Sequence, residues 1–381
     1  MKFALLGFDD SISTLVRALI SEQVPIVGLF GMSTAQSDEL GAICPLAEVR
    51  PDWNDALALE RDVIVIAGRE MLAEDRIEPL RKLIQVGQPL VLSHPIVDSM
   101  VDCFELEMIR VDGGGLLLPW VATAKHPACQ RIKSLANEHA WGNLEQIIIE
   151  RGVREQEPRT VLRMFIRDMH LVRGWIGDLT KVAALAGSPT NYGSLGVQLT
   201  GPHGTLVRWT NQASPNNSTA RITFVGSQGK GVLTLGDSTS VWSYESDGSE
   251  SERIEPANEA QALFEQLQKL STDAAAPPTW LDACRELELA DAVERSIAKG
   301  RTIELYLEEV GEHYTFKGVM AAGGCGLLLL AIFLVIVATT LTNLGVPLVG
   351  AWPYLLLGVL AAFLLLQTLR LAFPPEPRSG R

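Results

Sequence analysis

The sequence has few cysteines and no cluster of them. The chain has 381 residues and five cysteines, none at the two-residue spacing of a metal site. They are Cys44, Cys103, Cys129, Cys284 and Cys325. An odd, scattered set is typical of a protein from a reducing compartment. The sequence therefore predicts neither a disulfide framework nor a zinc site.

Basic residues are also scarce. The chain has 32 Lys and Arg residues against 45 Asp and Glu, and its net charge is −13. No Lys/Arg stripe interleaved with aromatic residues is present, so the electrostatic signature of a nucleic-acid binder is missing. Nucleic acid is therefore excluded as a partner. At about 150 residues per domain, the length predicts two or three folded domains.

Charge is absent from one long segment near the C-terminus. No Asp, Glu, Lys or Arg lies between Gly318 and Leu369. Two hydrophobic stretches within it, 319–341 and 349–369, are each as long as the roughly 20 residues that a membrane-spanning helix needs. No ionisable side chain lies inside either stretch, which favours an anchor over a transport pathway. We therefore expect a two-helix transmembrane hairpin in the lipid bilayer.

The charges that flank this hairpin predict its orientation. Lys317 precedes the first predicted span, and Arg370 follows the second. Because positive flanks stay on the cytoplasmic side, both ends are expected in the cytoplasm. The sequence thus predicts a multi-pass membrane protein whose soluble domains and C-terminal tail, 370–381, are cytoplasmic.

The N-terminal third alternates short apolar runs with helical periodicity. Strand-like runs at Phe3–Gly7, Pro25–Phe30 and Val63–Ala67 alternate with helical segments such as Ser11–Ser21. Strands alternating with helices form a parallel sheet with right-handed crossovers. The sequence therefore predicts an α/β Rossmann-like domain over residues 1–122.

The first turn of this domain lacks two of the three glycines of a dinucleotide-binding loop. In the G-x-G-x-x-G frame that begins at Gly7, Asp9 holds the second glycine position and Ile12 the third. A carboxylate about 4 Å from a phosphate charge costs roughly 4 kcal/mol at an effective dielectric constant near 20. Candidate cofactor-binding residues, in a degenerate form of the loop, are Gly7, Phe8, Asp9, Asp10 and Ser11.

The same residues also support a purely structural interpretation. Asp9, Asp10 or Ser11 would cap the first helix and complement its dipole, where an anion would otherwise bind. In addition, no acid that could hydrogen-bond a ribose follows the second strand before Asp38. The cofactor is therefore left unknown, and it is NAD(P) if the site functions.

After about residue 123 the pattern changes to one long helical segment followed by short strands. The helix is predicted near 160–176, and turns rich in Gly, Pro, Asn and Ser separate the strands. These strands are predicted at 197–199, 205–209, 221–225 and 231–235. Such spacing indicates hairpins. We expect an α+β domain with a mainly antiparallel open sheet over 123–316.

This element order resembles the glucose-fructose oxidoreductase and inositol dehydrogenase family (Gfo/Idh/MocA). The resemblance covers about residues 1–308 and includes Gly226-Ser227-Gln228-Gly229 before a strand and Asp291–Ser296 leading to Gly300-Arg301-Thr302. It implies that NAD(P) binds in the first domain. It also implies that hydride passes to or from a sugar or cyclitol over the sheet of the second domain, and that this sheet mediates oligomerisation.

The family's catalytic motifs are replaced in this chain. The resemblance implies a Glu-Lys-Pro triplet where Ser93-His94-Pro95 stands, and a His-x-x-Asp pair where Arg167-Asp168-Met169-His170 stands. Arg167 and His170 lie three residues apart, on one helical face, and His94 would lie opposite them. Candidate catalytic residues are therefore His94, Arg167 and His170. The alternative is an ordinary polar helix face with Asp168 solvated.

Three functions remain open. The first is a membrane-anchored relative of these oxidoreductases with a degraded NAD(P) site, acting as a non-catalytic or atypical binding or scaffold subunit. The second is an active NAD(P)-dependent oxidoreductase that acts on a sugar or cyclitol-like substrate with a rebuilt site. The third is a regulator of partner membrane proteins. The partners expected are the bilayer, a second copy of the chain, and membrane or sugar-metabolism proteins.

Overall fold

The computed structural model describes residues 1–58, 60–68, 73–188, 190–215, 219–247, 250–272, 278–305 and 358. The chain divides into two compact units, Met1–Tyr306 and Leu307–Arg381. All strands and helices given below belong to the first unit. The boundary predicted at residue 122 falls inside this unit and stays a prediction.

The first sheet is parallel and has six strands in the order β3-β2-β1-β4-β5-β6. Its strands are β1 (Phe3–Leu6), β2 (Ile26–Phe30), β3 (Glu48–Arg50), β4 (Val63–Ile66), β5 (Leu90–Ser93) and β6 (Leu117–Trp120). Most are short, continuous apolar runs because both faces of the sheet are covered. Phe3 and Leu5 pack on one face, and Ala4 and Leu6 on the other. The predicted Rossmann-like sheet is confirmed.

Four described helices that precede β6 in the chain pack around this sheet. They are α1 (Asp10–Ser21), α2 (Thr34–Ile43), α3 (Ala73–Gln85) and α4 (Met100–Gly113). On α1 the apolar residues Ile12, Leu15, Val16 and Leu19 recur at helical spacing and are buried. This stripe holds the start of α1 directly beyond the end of β1, which positions the first turn.

The second sheet is mixed and has nine strands in the order β14-β13-β12-β11-β7-β10-β9-β8-β15. Its strands are β7 (Leu144–Val153), β8 (Lys181–Leu185), β9 (Gly196–Thr200), β10 (Leu206–Ala213), β11 (Ala220–Gly226), β12 (Gly229–Leu235), β13 (Trp242–Ser246), β14 (Glu252–Ile254) and β15 (Ile303–Glu304). Among the neighbouring strands of this described sheet, only β7 and β10 run parallel to each other. Alternate residues of β10, such as Val207 and Trp209, are buried on one face. The predicted, mainly antiparallel second sheet is confirmed.

The described helices that follow β6 in the chain cover both sheets. They are α5 (Pro127–Asn137), α6 (Pro158–Ile176), α7 (Glu259–Thr272) and α8 (Trp280–Lys299). Leu263 and Leu267 of α7 share a core with Phe3 and Leu5 of the first sheet. Helix α8 packs on both α4 and α6. The chain thus returns from the second sheet to complete the packing around the first.

The structure corrects the prediction about cysteines. Cys103 of α4 and Cys284 of α8 form a disulfide, with their Cα atoms 5.7 Å apart. Cys44 and Cys129 are free and buried. The prediction of no disulfide is therefore wrong. Sequence spacing could not show the pairing because it depends on the packing of α8 against α4, which brings together residues 181 positions apart.

The predicted membrane localisation is also corrected. Among the described residues, no helix is both long and apolar enough to cross a bilayer. The two longest described helices, α6 and α8, are amphipathic and carry many ionisable side chains. The predicted spans 319–341 and 349–369 lie outside the described residues, apart from Gly358, as does the tail 370–381. The prediction of a multi-pass protein with cytoplasmic domains is withdrawn.

Candidate functional site

A cleft of about 620 Å³ lies between the two sheets. On one side it is lined by residues that follow β1, β4, β5 and β6, at the carboxyl ends of these parallel strands. On the other side it is lined by β7, α6 and the loop 236–239. Ligands of open α/β sheets bind beyond the carboxyl ends of the strands, where the strand order reverses. In this sheet the reversal lies between β1 and β4.

The first turn is closed by its own side chains. Asp9 is the N-cap of α1, and its Oδ1 accepts a hydrogen bond from the backbone N–H of Ser11 at 2.9 Å. The Ser93 hydroxyl donates to the Ser11 hydroxyl at 2.5 Å, and the Ser11 hydroxyl donates to Asp9. Asp9 Oδ2 is buried and has no hydrogen-bond partner. The predicted cap, with Asp9 in that role, is confirmed.

The other predicted cofactor residues lie around this turn. Gly7 has φ +71°, a backbone conformation that favours glycine. The carbonyl oxygen of Phe8 accepts from the Gln36 amide at 3.0 Å, so α2 is tied to the turn. Asp10 and Ser11 line the cleft with Asp9, while Gly7 and Phe8 are not among its lining residues. The structure thus brings all five residues to one loop, and cofactor binding there stays a prediction.

The predicted catalytic residues His94 and His170 meet on one buried carboxylate. His94 is 1% exposed, and its Nε2 lies 2.8 Å from Glu286 Oε2, although the two groups are not aligned as a hydrogen bond. His170 Nδ1 lies 3.0 Å from Glu286 Oε1, and the two imidazole centroids are 6.0 Å apart. Neither histidine lines the cleft.

Arg173 completes a group that we call the buried charge cluster, consisting of His94, His170, Arg173 and Glu286. Arg173 Nη1 donates to Glu286 Oε1 at 2.9 Å. Burial tends to raise the pKa of Glu286, but the two imidazoles outweigh burial and hold that pKa well below its usual range. Burial lowers the pKa of His94, which keeps its imidazole neutral at pH 7.

Arg167, the third predicted catalytic residue, lies on the cleft wall. Its Nε–H donates to the carbonyl oxygen of His94 at 3.2 Å. The next residue, Asp168, is buried, pairs with Arg151 and accepts from the Trp209 indole at 2.7 Å. The alternative prediction of a solvated Asp168 is therefore wrong, because α6 turns this carboxylate toward the second sheet.

Sequence reasoning missed Glu286 and Arg151, although each carries a local signal. On α8 Glu286 lies three residues after Ala283, within the buried stripe of an amphipathic helix. On β7 Arg151 continues the inward series of Ile147 and Ile149. A charge at a core position is rare unless it is paired. These patterns indicate buried ion pairs, but only the fold shows the partners.

The comparisons with known proteins report the same architecture. A myo-inositol dehydrogenase from Corynebacterium glutamicum has 19% identity, a TM-score of 0.63 and coverage of 81% of this chain and 99% of its own. An aldose-aldose oxidoreductase from Caulobacter crescentus, solved with glycerol, has 15% identity, a TM-score of 0.67 and coverage of 80% and 99%. GenD2 from gentamicin A biosynthesis, solved with NAD, has 17% identity, a TM-score of 0.65 and coverage of 80% and 96%.

These neighbours are oxidoreductases of the Gfo/Idh/MocA type, and the chain has their fold. No protein-family model matches the sequence, and no curated protein matches it. The resemblance predicted from the sequence is therefore confirmed for the fold. At identities of 15–19% the likeness to these three neighbours shows the fold alone.

Proposed function

We propose that this chain is an atypical binding protein with the Gfo/Idh/MocA fold, which holds a small molecule in the cleft and has a degraded NAD(P) site. The observation that carries the proposal is the Asp9 carboxylate at the N-terminus of α1. The cleft volume of about 620 Å³ is in the range of small-molecule sites. Scaffold roles, self-association and partner proteins stay predictions.

The residues of the first turn do not fit a dinucleotide. A diphosphate binds there by accepting hydrogen bonds from free backbone N–H groups at the start of the helix. Here Asp9 already accepts from the Ser11 N–H and adds a negative charge where the phosphates would lie. After β2, the capping box of Ser33 and Gln36 starts α2, and no acid for the ribose precedes Asp38.

The second candidate is an NAD(P)-dependent oxidoreductase acting on a sugar or cyclitol-like substrate. Two observations favour it. The strand order of the first sheet is that of a complete dinucleotide-binding domain, and Gly7 keeps the positive φ of the first turn. In this case Asp9 would have to turn away from the helix to admit the phosphates.

Titration of the purified full-length chain with NADH and NADPH separates the two candidates. The proposal predicts no saturation of the nicotinamide fluorescence signal up to millimolar cofactor. Saturable binding in the micromolar range would overturn it in favour of the second candidate. A Gfo/Idh/MocA dehydrogenase measured in the same way provides the positive control.

A further inference from the structure

Arg167 presents a guanidinium to the cleft without a carboxylate partner. Its Nε–H is satisfied by the carbonyl oxygen of His94 at 3.2 Å. In the described part of the chain no carboxylate lies within ion-pair distance of it, and Nη1 and Nη2 have no hydrogen-bond partner. Two parallel N–H donors of this kind match the two oxygens of a carboxylate.

Two neighbouring arginines of the same wall are paired with carboxylates. Arg151 pairs with the buried Asp168, and Arg163, one helical turn before Arg167, pairs with Asp98 at 3.1 Å. Arg167, by contrast, forms no ion pair with a carboxylate of the described residues. Burial lowers the pKa of Arg167, and the carboxylate of Asp9 partly offsets that effect. A desolvated guanidinium of this kind is stabilised by a hydrogen-bonded anion.

The rest of the cleft is rich in hydroxyl groups. Ser11 and Ser93 lie on the side of the first sheet, and Thr123 and Thr160 also line the cleft. The hydroxyl protons of Ser93 and Ser11 are already donated, to Ser11 and to Asp9, so these two oxygens can accept a hydrogen bond from a ligand hydroxyl. The hydroxyl groups of Thr123 and Thr160 can donate as well as accept. The negative charge of Asp9 would repel a doubly charged phosphate more strongly than a singly charged carboxylate.

We propose that the cleft binds a small hydroxylated carboxylate, such as a sugar acid, with its carboxylate held by Nη1 and Nη2 of Arg167 and its hydroxyl groups facing the serine and threonine side chains. This inference rests on the proposed binding function and names its ligand class. It assigns to Arg167 a binding role that needs neither histidine of the buried charge cluster.

Isothermal titration calorimetry on the full-length chain tests the inference with six probes. D-Gluconate and D-glucuronate carry the carboxylate. D-Glucose and D-glucitol are neutral counterparts, and glucose 6-phosphate and inorganic phosphate supply the dianion. We expect saturable binding of at least one carboxylate probe. The neutral and phosphate probes should bind at least about tenfold more weakly. Arg167→Gln should weaken the carboxylate's binding by about thirtyfold or more, as expected when one partner of a buried charge pair is removed.

The controls separate a binding role from a structural one. Arg167→Lys keeps the charge but not the paired donors, and it should restore only part of the affinity. Arg221→Gln makes the same charge change on an exposed residue of β11 and should leave binding unchanged. Circular dichroism and the melting temperature report whether each variant folds.

Several outcomes overturn the inference. They are equal binding of neutral and charged sugars, binding of phosphate probes alone, carboxylate binding that survives Arg167→Gln in the folded variant, and no binding of any probe. The dinucleotide titration is independent of this result. Micromolar NADH binding would overturn the proposed function even if a sugar acid also binds. If none of the anionic probes binds, this inference is overturned, and the NADH titration alone decides the proposed function.

Discussion

Asp9 lies where a helix of this fold would otherwise present free backbone N–H groups to an anion. Its carboxylate satisfies the start of α1 and adds a negative charge there. Both effects act in the same place because the N-terminus of a helix is a site for anions, whether these belong to the protein or to a ligand. In the proposed function, this capping residue is what excludes a dinucleotide from the first turn.

Removing the charge of Asp9 should increase the affinity for dinucleotides. Asparagine caps helices about as well as aspartate, so Asp9→Asn keeps the cap and removes the repulsion. We expect NADH to bind more tightly to this variant, by up to about a thousandfold from the roughly 4 kcal/mol of repulsion. Fluorescence titration measures the change.

The matched control is Asp38→Asn, which removes a charge from an exposed residue of α2. It should bind NADH no better than the parent chain. An unchanged affinity in Asp9→Asn would mean that the shape of the turn, rather than its charge, excludes the dinucleotide. Ile12 is left in place because its side chain is fully buried in the core under α1.

At the scale of elements, α8 connects parts of the molecule that are distant in sequence. Cys284 joins it to α4, and Glu286 joins it to the loop after β5 and to α6. Its start is held by a capping box, in which Thr279 Oγ1 accepts from the Asp282 N–H at 3.2 Å and the Thr279 N–H donates to Asp282 at 2.9 Å. The position of the buried charge cluster therefore depends on this one helix.

Loss of this cap should destabilise the protein by a small, measurable amount. Thr279→Ala removes the hydroxyl that accepts from the Asp282 N–H, and we expect the free energy of unfolding to fall by about 1 kcal/mol. Urea denaturation measures the change. Thr279→Ser keeps the hydroxyl and should stay close to the parent chain. Equal stability of all three proteins would show that the cap contributes nothing to the folded state.

At the scale of the whole molecule, the buried charge cluster makes stability depend on pH. The pKa of His94 lies below its ordinary value of 6.5, so below about pH 6.5 the unfolded chain binds more protons than the folded one. The pKa of Glu286 lies below its ordinary value of 4.5, with the same effect at lower pH. Through both groups, therefore, the free energy of unfolding is highest near pH 7 and falls on acidification.

Glu286→Gln tests this dependence. We expect the free energy of unfolding at pH 7 to fall by about 3–5 kcal/mol, because removing the carboxylate leaves the buried charge of its partners unpaired. The difference in unfolding free energy between the variant and the parent should narrow as the pH falls below about 4.5, because Glu286 of the unfolded parent then binds a proton that the folded parent does not. Urea titrations at several pH values measure the loss of stability at pH 7 and its change with pH. Glu265→Gln, on an exposed residue of α7, serves as control, and a difference that stays constant with pH would contradict the prediction.

The sequence predicted the elements best where the signal is local. The apolar stripe of α1 and the alternation in β10 repeat over a few residues, and both elements form where they were expected. Helix α4 was not predicted. It carries apolar residues on its exposed surface as well as its buried one, Val101 being 75% exposed, and this weakens the periodicity that marks an amphipathic helix.

The candidate site was predicted only in part. The cap at Asp9 depends on neighbours two residues away, and sequence reasoning reached it. The side chains of His94 and His170 were expected to face a substrate, but they lie on Glu286, at least 116 residues further along the chain. Nothing in the spacing of the histidines indicates that carboxylate.

The sequence alone determined the two-sheet architecture and the capped first turn, since hydrophobic periodicity and capping act between residues close along the chain. The tertiary structure decided which distant side chains meet: Cys103 with Cys284, the two histidines with Glu286, and α7 with the first sheet. The physical reason is that these contacts depend on where the chain returns after the second sheet, and short-range patterns carry no information about that return.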